Sequence, residues 1–114
     1  MLAHPDLAKI FGRRPDPAFL AELHERIADA AAGAGLALEI STAGLRKPVG
    51  ELYPDPALLR ACIARGVPIT IASDAHLPAD VGRDFDRALA LARGEGCETV
   101  TVFEGRKARQ EPLG

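Results

Sequence analysis

Val67-Pro68-Ile69-Thr70-Ile71-Ala72-Ser73-Asp74-Ala75-His76 joins a β-branched apolar run to a short polar tetrapeptide. Val67, Ile69 and Ile71 fall on one side of the run, a pattern that predicts a buried strand over residues 67–72. Side chains alternate across a strand, so Asp74 and His76, two residues apart, are expected on the same side at its carboxyl end. A carboxylate oxygen and an imidazole nitrogen offered to one point suit Zn, Mn or Fe. The same residues also read as an N-cap pair for a following helix, because Ser and Asp are favoured there. Two ligands make half a site, and the remainder has to come from elsewhere in the chain.

Working outward, the flanking segments alternate between helix and strand signals. Asp16-Pro17 places an N-cap ahead of a first-turn proline, and Phe19, Leu20, Leu23, Ile27, Ala30 and Ala31 recur at helical spacing. A helix from Ala18 to about Ala32 is predicted, closed by Gly33 or Gly35. Leu36 to Ile40 alternates as a strand, and a loop runs from Ser41 to Pro54. Asp55-Pro56 repeats the cap-plus-proline signature before a helix over Ala57–Arg65. After the 67–72 strand, a helix from about Asp80 to Arg93 and a last strand over Glu98–Phe103 are expected. Met1-Leu2-Ala3 reads as the end of a strand that opens into His4-Pro5-Asp6. Such alternation implies parallel strands with helical crossovers, an α/β architecture whose functional residues collect at the carboxyl ends of the strands. His4, Glu39 to Thr42, and Asp74 with His76 all fall at such ends, and so on one rim.

Composition narrows the function classes. The 114 residues suit one domain, 47% are hydrophobic, and with 4% aromatics and no Trp the core has to be aliphatic. A net charge of −2 with scattered basic residues gives no electrostatic footprint for nucleic acid. No apolar run long enough for a membrane span or a signal peptide occurs, so neither a membrane partner nor export is expected. Cys62 and Cys97, with no CxxC spacing, point to a reducing cytoplasm, with Cys62 packed in the core. Arg106 to Arg109 is a small basic cluster near the end of the chain. His24, amid Glu22, Glu25 and Arg26, reads as part of a polar helix face, and Glu39 as either a rim residue or an ordinary ion-paired strand residue.

Taken in order, Leu2 to Asp6, Leu38 to Pro48, Glu51-Leu52-Tyr53-Pro54, and Ser73-Asp74-Ala75-His76 with Val81-Gly82 resemble histidinol-phosphatases of the PHP (polymerase and histidinol phosphatase) superfamily. The His-Pro and Asp-Ala-His elements are shared across that superfamily, while Leu38–Pro48 and Tyr53-Pro54 resemble the histidinol-phosphatase branch. The resemblance implies a distorted (β/α)7 barrel with two or three divalent metal ions at the carboxyl ends of its strands. It also implies metal-dependent hydrolysis of histidinol phosphate to histidinol, in histidine biosynthesis. Carried over by position, His4, Asp74 and His76 would be metal ligands, Asp74 would also handle a proton, and Arg46 would grip the substrate phosphate.

The family's His-x-His element and its Glu and His ligands from intermediate strands have no counterpart here, and such barrels typically take about 250 residues. The chain therefore reads as a single partial domain, the carboxyl-terminal part of a PHP-type barrel, expected to be inactive alone. It would self-associate or pair with the missing half of the barrel. The alternatives are a non-catalytic barrel remnant and a PHP phosphoesterase with another substrate. Ser41, Ala72 and Leu77 depart from the usual residues of the branch.

Overall fold

The computed structural model describes residues 1–114. Its centre is a parallel pair, β1 (Leu38–Ser41) against β2 (Ile69–Ala72), in the register Leu38 to Ile69 through Ser41 to Ala72. Leu2 pairs in parallel on the other side of β1, accepting from Glu39 N at 3.0 Å and donating to Ala37 O at 2.7 Å. Three parallel segments therefore end on one rim, as the alternation of elements implies.

Helix α1 (Pro17–Gly33) begins as its cap predicts: the Asp16 carboxylate accepts from Ala18 N at 2.9 Å and Phe19 N at 3.3 Å. Helix α2 (Pro56–Ala64) starts the same way, with Asp55 accepting from Ala57 N at 2.9 Å. The two helices pack on each other, and with α3 (Phe85–Gly94) they enclose a core of Leu38, Ile40, Leu58, Leu59, Cys62 and Ile69. Cys62 is fully buried there, and burial pushes its thiol up, so it packs as a small hydrophobe. No helix is long and apolar enough to cross a membrane.

Four features depart from the sequence reading. The buried stripe of α1 is His24, Ala28 and Ala31, while Phe19 is exposed. His24 is thus not on the polar face. Its spacing to Ala28 and Ala31 is helical, and the small alanines let α1 approach closely enough to cover it. The helix expected from Asp80 is broken into a 3₁₀ turn, Pro78–Asp80, and α3. Gly82 (φ 70°) and Asp84 (φ 60°) are both left-handed, a conformation that a right-handed helix cannot pass through.

The last strand is not another parallel member. β3 (Thr99–Glu104) forms an antiparallel hairpin with β4 (Lys107–Pro112) across a two-residue turn in which Gly105 and Arg106 both have positive φ. The expectation of uniformly parallel strands is corrected at this point, and the basic cluster at 106–109 belongs to the hairpin turn and β4. Arg109 pairs with Glu104 and Glu111. The hairpin lies beside β2 without joining its sheet.

The segment expected as a plain loop after β1 contains a 3₁₀ helix, Thr42–Arg46. Gly44 in it is packed so closely that an added Cβ would run into the Glu51 carbonyl and sit 3.1 Å from Tyr53 Cε2. Because that obstacle is backbone, Gly44→Ala is expected to destabilise the fold by about 1–3 kcal/mol through overpacking. Urea unfolding would read this as a lowered midpoint, and an unchanged midpoint would mean the 42–53 loop moves freely aside.

Candidate functional site

The rim is assembled from the ends of the three parallel segments. His4 follows the Leu2 bridge, Glu39 lies within β1, and Asp74 stands two residues beyond β2. Glu39 points away from the core face carrying Leu38 and Ile40, as strand alternation requires. It nevertheless stays 95% buried because His4 covers it. His4 Nδ1 lies 3.3 Å from Glu39 Oε1, and His4 Nε2 lies 3.5 Å from Asp74 Oδ2. The imidazole thus stands between two carboxylates, one buried and one 41% exposed. Nδ1 and Oε1 are both sealed from solvent and neither makes an aligned hydrogen bond.

Burial raises the Glu39 carboxyl above the ordinary glutamate value, with the Asp74 charge adding to the shift and His4 opposing it. The Tyr53 ring meets His4 edge-on at 6.0 Å and 64°. Ser41 fixes Tyr53 through a two-bond antiparallel bridge, Ser41 N to Tyr53 O at 2.8 Å and Tyr53 N to Ser41 O at 3.0 Å.

The two outer rim residues are held in uncommon backbone. His4 (φ 49°) and Asp74 (φ 48°) are both left-handed, the kind of local strain that collects at functional positions. The turn at Asp74 also ends the strand alternation, so Asp74 and His76 do not project as a strand pair. His76 is exposed, and its Nδ1 lies 2.9 Å from the Asp74 backbone carbonyl. The structure therefore brings His4 and Asp74 together and adds Glu39, while His76 stays at the edge. No three His, Cys, Asp or Glu side chains form a group able to hold a metal ion by themselves.

Arg46 is tied into the scaffold. Its Nη2 donates to the Ser73 carbonyl at 2.6 Å, and its Nε lies 3.8 Å from Asp80 Oδ2. It thereby connects the 3₁₀ helix after β1 to the loop carrying Asp74. With Lys47, Asp74, His76 and Asp80 it lines an open depression of about 220 Å³ beside the rim. Ser73 Oγ accepts from Gly82 N at 3.2 Å, and Thr42 Oγ1 donates to Arg83 O at 2.8 Å, which hold the far wall in place.

Below His4 lies a cluster that the sequence did not flag. Lys9 is 94% buried, donates to Leu52 O at 3.0 Å, meets Asp6 at 3.0 Å and Glu51 at 3.4 Å, and lies 5.5 Å over the Tyr53 ring. Asp6 in turn accepts from Asp55 N at 2.6 Å. Nothing local marks Lys9, since all its partners except Asp6 lie more than forty positions away in the sequence.

The chain is 49% identical over 107 residues to a curated Deinococcus radiodurans protein named "Probable histidinol-phosphatase". The match covers 93% of this chain and 39% of the relative, so the chain spans about two fifths of the relative's length. The resemblance read from the motifs is therefore carried by nearly all of the chain. No family model matches the sequence.

Two measurements probe the rim and its support. Glycine adopts positive φ freely and alanine does not, so Asp74→Gly is expected to be more stable than Asp74→Ala by about 1 kcal/mol in urea unfolding. Equal stabilities would show that the left-handed turn relaxes. The second concerns Glu51, which is held below the ordinary glutamate value by the hydrogen bond from Arg14, with burial opposing and the Arg14 and Lys9 charges assisting. A depressed carboxylate stabilises the fold above its unfolded value, and that contribution is lost as pH falls through the folded one. The pair is exposed and its energy screened, so Arg14→Met is expected to cost only about 0.5 kcal/mol at neutral pH. That difference should vanish in acid, and one that persisted there would assign the loss to packing instead.

Proposed function

We propose that this chain contributes the rim of a metal-dependent phosphomonoesterase of the PHP type, as part of a distorted (β/α)7 barrel. Its substrate would be histidinol phosphate, hydrolysed to histidinol and phosphate. The observation that carries the reading is the convergence of His4, Glu39 and Asp74 from three parallel segments beside Arg46. The similarity to the Deinococcus protein and its name support it.

The donor chemistry fits a divalent cation. On the accessible side of the ring, His4 Nε2 and the half-exposed Asp74 Oδ2 stand 3.5 Å apart, a nitrogen and an oxygen facing one point, while Glu39 backs the other ring nitrogen. His4 and Asp74 would hold the ion, with His76 joining from the rim edge. Further ligands would come from the part of the relative that this chain does not span. A bound Zn, Mn or Fe, two or three in the intact site, supplies Lewis-acid polarisation of the phosphoryl oxygens. The chain's own residues do the rest. Arg46 and Lys47 place positive charge in the depression, where an anionic phosphate would be attracted and oriented. Arg46 keeps one nitrogen on the Ser73 carbonyl, so it orients the phosphate from a fixed position. Asp74, the exposed carboxylate of the pair, would take or return a proton, a role its accessibility supports.

A second reading, a non-catalytic barrel remnant that self-associates, is favoured by the exposed apolar side chains Phe11, Phe19, Leu77, Val81 and Phe103. Both readings place the chain in a reducing cytoplasm, in keeping with its two free thiols.

The test is to mix the purified chain with the part of the Deinococcus relative outside the matched region, add Mn or Zn, and follow phosphate release. Histidinol phosphate and a generic aryl phosphate serve as parallel substrates. The chain alone is expected to be inactive, and the mixture active in a chelator-sensitive way. Asp74→Asn should lose at least a hundredfold in kcat, and Arg46→Ala about tenfold in kcat/KM through one lost charged contact. No turnover in the mixture, with concentration-dependent mass of the chain alone in sedimentation, would favour the remnant reading. Equal turnover of both substrates would remove histidinol phosphate as the specific substrate.

A further inference from the structure

We infer that Glu39 is a positioning residue for His4: it holds the imidazole as the Nδ1–H tautomer and leaves the Nε2 lone pair facing Asp74. The assignment follows from the burial of the atoms on each side of the ring. Nδ1 and Glu39 Oε1 are sealed from water, 3.3 Å apart, and neither has another partner. With the proton on Nε2 and Glu39 ionised, as on the alkaline side, two lone pairs would face each other in a site where no water can relieve them. With the proton on Nδ1, the same two atoms become donor and acceptor, and two unsatisfied buried groups are removed at once.

The other side of the ring does not impose that demand. Asp74 is 41% exposed, so its Oδ2 can be hydrated whichever tautomer is present. An acceptor nitrogen 3.5 Å from an acceptor oxygen, on the accessible side, is a pair that water or a cation can satisfy. Other contacts hold the ring plane as well as the proton. Tyr53 packs edge-on at 6.0 Å, and the His4 backbone is itself left-handed (φ 49°). A carboxylate behind the second nitrogen of a metal-binding histidine raises ligand basicity and fixes its aim. This meaning of the pair rests on the metal-site reading above, whereas the tautomer itself rests only on the His4–Glu39 geometry.

The test is long-range ¹H–¹⁵N correlation of the histidine rings in the metal-free full chain, read on the alkaline plateau of the His4 shifts. The expected result is a protonated, pyrrole-type Nδ1 and an unprotonated, pyridine-type Nε2 in the unmodified protein. Glu39→Gln keeps an acceptor oxygen and should retain that pattern. Glu39→Leu should lose it, with the His24 signals of α1 unchanged as the internal control. An Nε2–H tautomer in the unmodified protein overturns the inference whatever the variants do, and so does an Nδ1–H tautomer that survives Glu39→Leu. Adding Zn to the same sample separates the two readings. A His4 Nε2 shift on Zn addition supports the role of the tautomer in cation binding. An Nδ1–H tautomer that ignores Zn leaves the Glu39 assignment standing and counts against metal binding by the isolated rim.

Discussion

The parallel pairing of Leu38–Ser41 with Ile69–Ala72, with Leu2 on the far side, is the constraint on which the rest depends. Parallel strands need crossovers, and α1 and α2 supply the two helical crossovers between the three segments. Those helices bury the core face carrying Leu38, Ile40 and Ile69. The opposite side chains of β1, Glu39 and Ser41, are left for the other face. Because all three segments run the same way, the residues just beyond each one come out at the same end. The meeting of His4 and Asp74 beside Glu39 follows from that direction, with seventy positions between the outer two. A one-residue slip in register would turn Glu39 into the core and Leu38 or Ile40 out of it, and the aliphatic core opposes that strongly.

What lies beneath the rim keeps it in place. Tyr53 is pinned by its bridge to Ser41, Lys9 spans the Leu52 carbonyl and two carboxylates, and Asp6 accepts from the first residue before α2. Arg46 does the equivalent on the other side, from the 3₁₀ helix to the Ser73 carbonyl. These are polar groups used as scaffolding: each satisfies a buried backbone acceptor or donor that a loop would otherwise leave unpaired. Together they explain how two left-handed residues persist at the rim, since strained backbone survives only where its surroundings over-determine it. The rim therefore has a floor tied by buried polar contacts and an exposed edge at His76.

Much of this was legible in the sequence where the signal is local. Asp16-Pro17 and Asp55-Pro56 announce helix starts through the hydrogen bonds their carboxylates then make. The alternation at 36–40 and 67–72 announces strands, each of which begins two residues later in the structure, the first also running one residue further to Ser41. The second strand of the hairpin has no apolar face to announce it, because Lys107, Arg109 and Glu111 are charged on one side and only Ala108 and Gln110 stand on the other, as suits an exposed edge strand. Its signal was the two-residue Gly105-Arg106 turn. His24 was misplaced because its neighbours in sequence are charged, whereas its neighbours along the helix face are alanines. The helix after His76 was started too early, because the left-handed turns at Gly82 and Asp84 interrupt a pattern that hydrophobicity alone carries through.

By itself the sequence determined the class of the fold, the ends of its helices, and the residues with chemistry to offer, because capping, alternation and motif spacing are properties of neighbouring residues. It also carried the resemblance to histidinol-phosphatases. Only the tertiary structure decided which of those residues meet. From the sequence Glu39 reads as either an ordinary strand residue or a rim residue, and the pairing of β1 with the Leu2 segment lays His4 across it. His76 looked equal to Asp74 until a left-handed turn separated them. Lys9 had no visible role until the loop at 51–55 folded over it. Burial, orientation and partnership are set by segments far apart in the chain. The energy that fixes them comes from long-range packing and from pairing buried polar groups, and no local pattern encodes those.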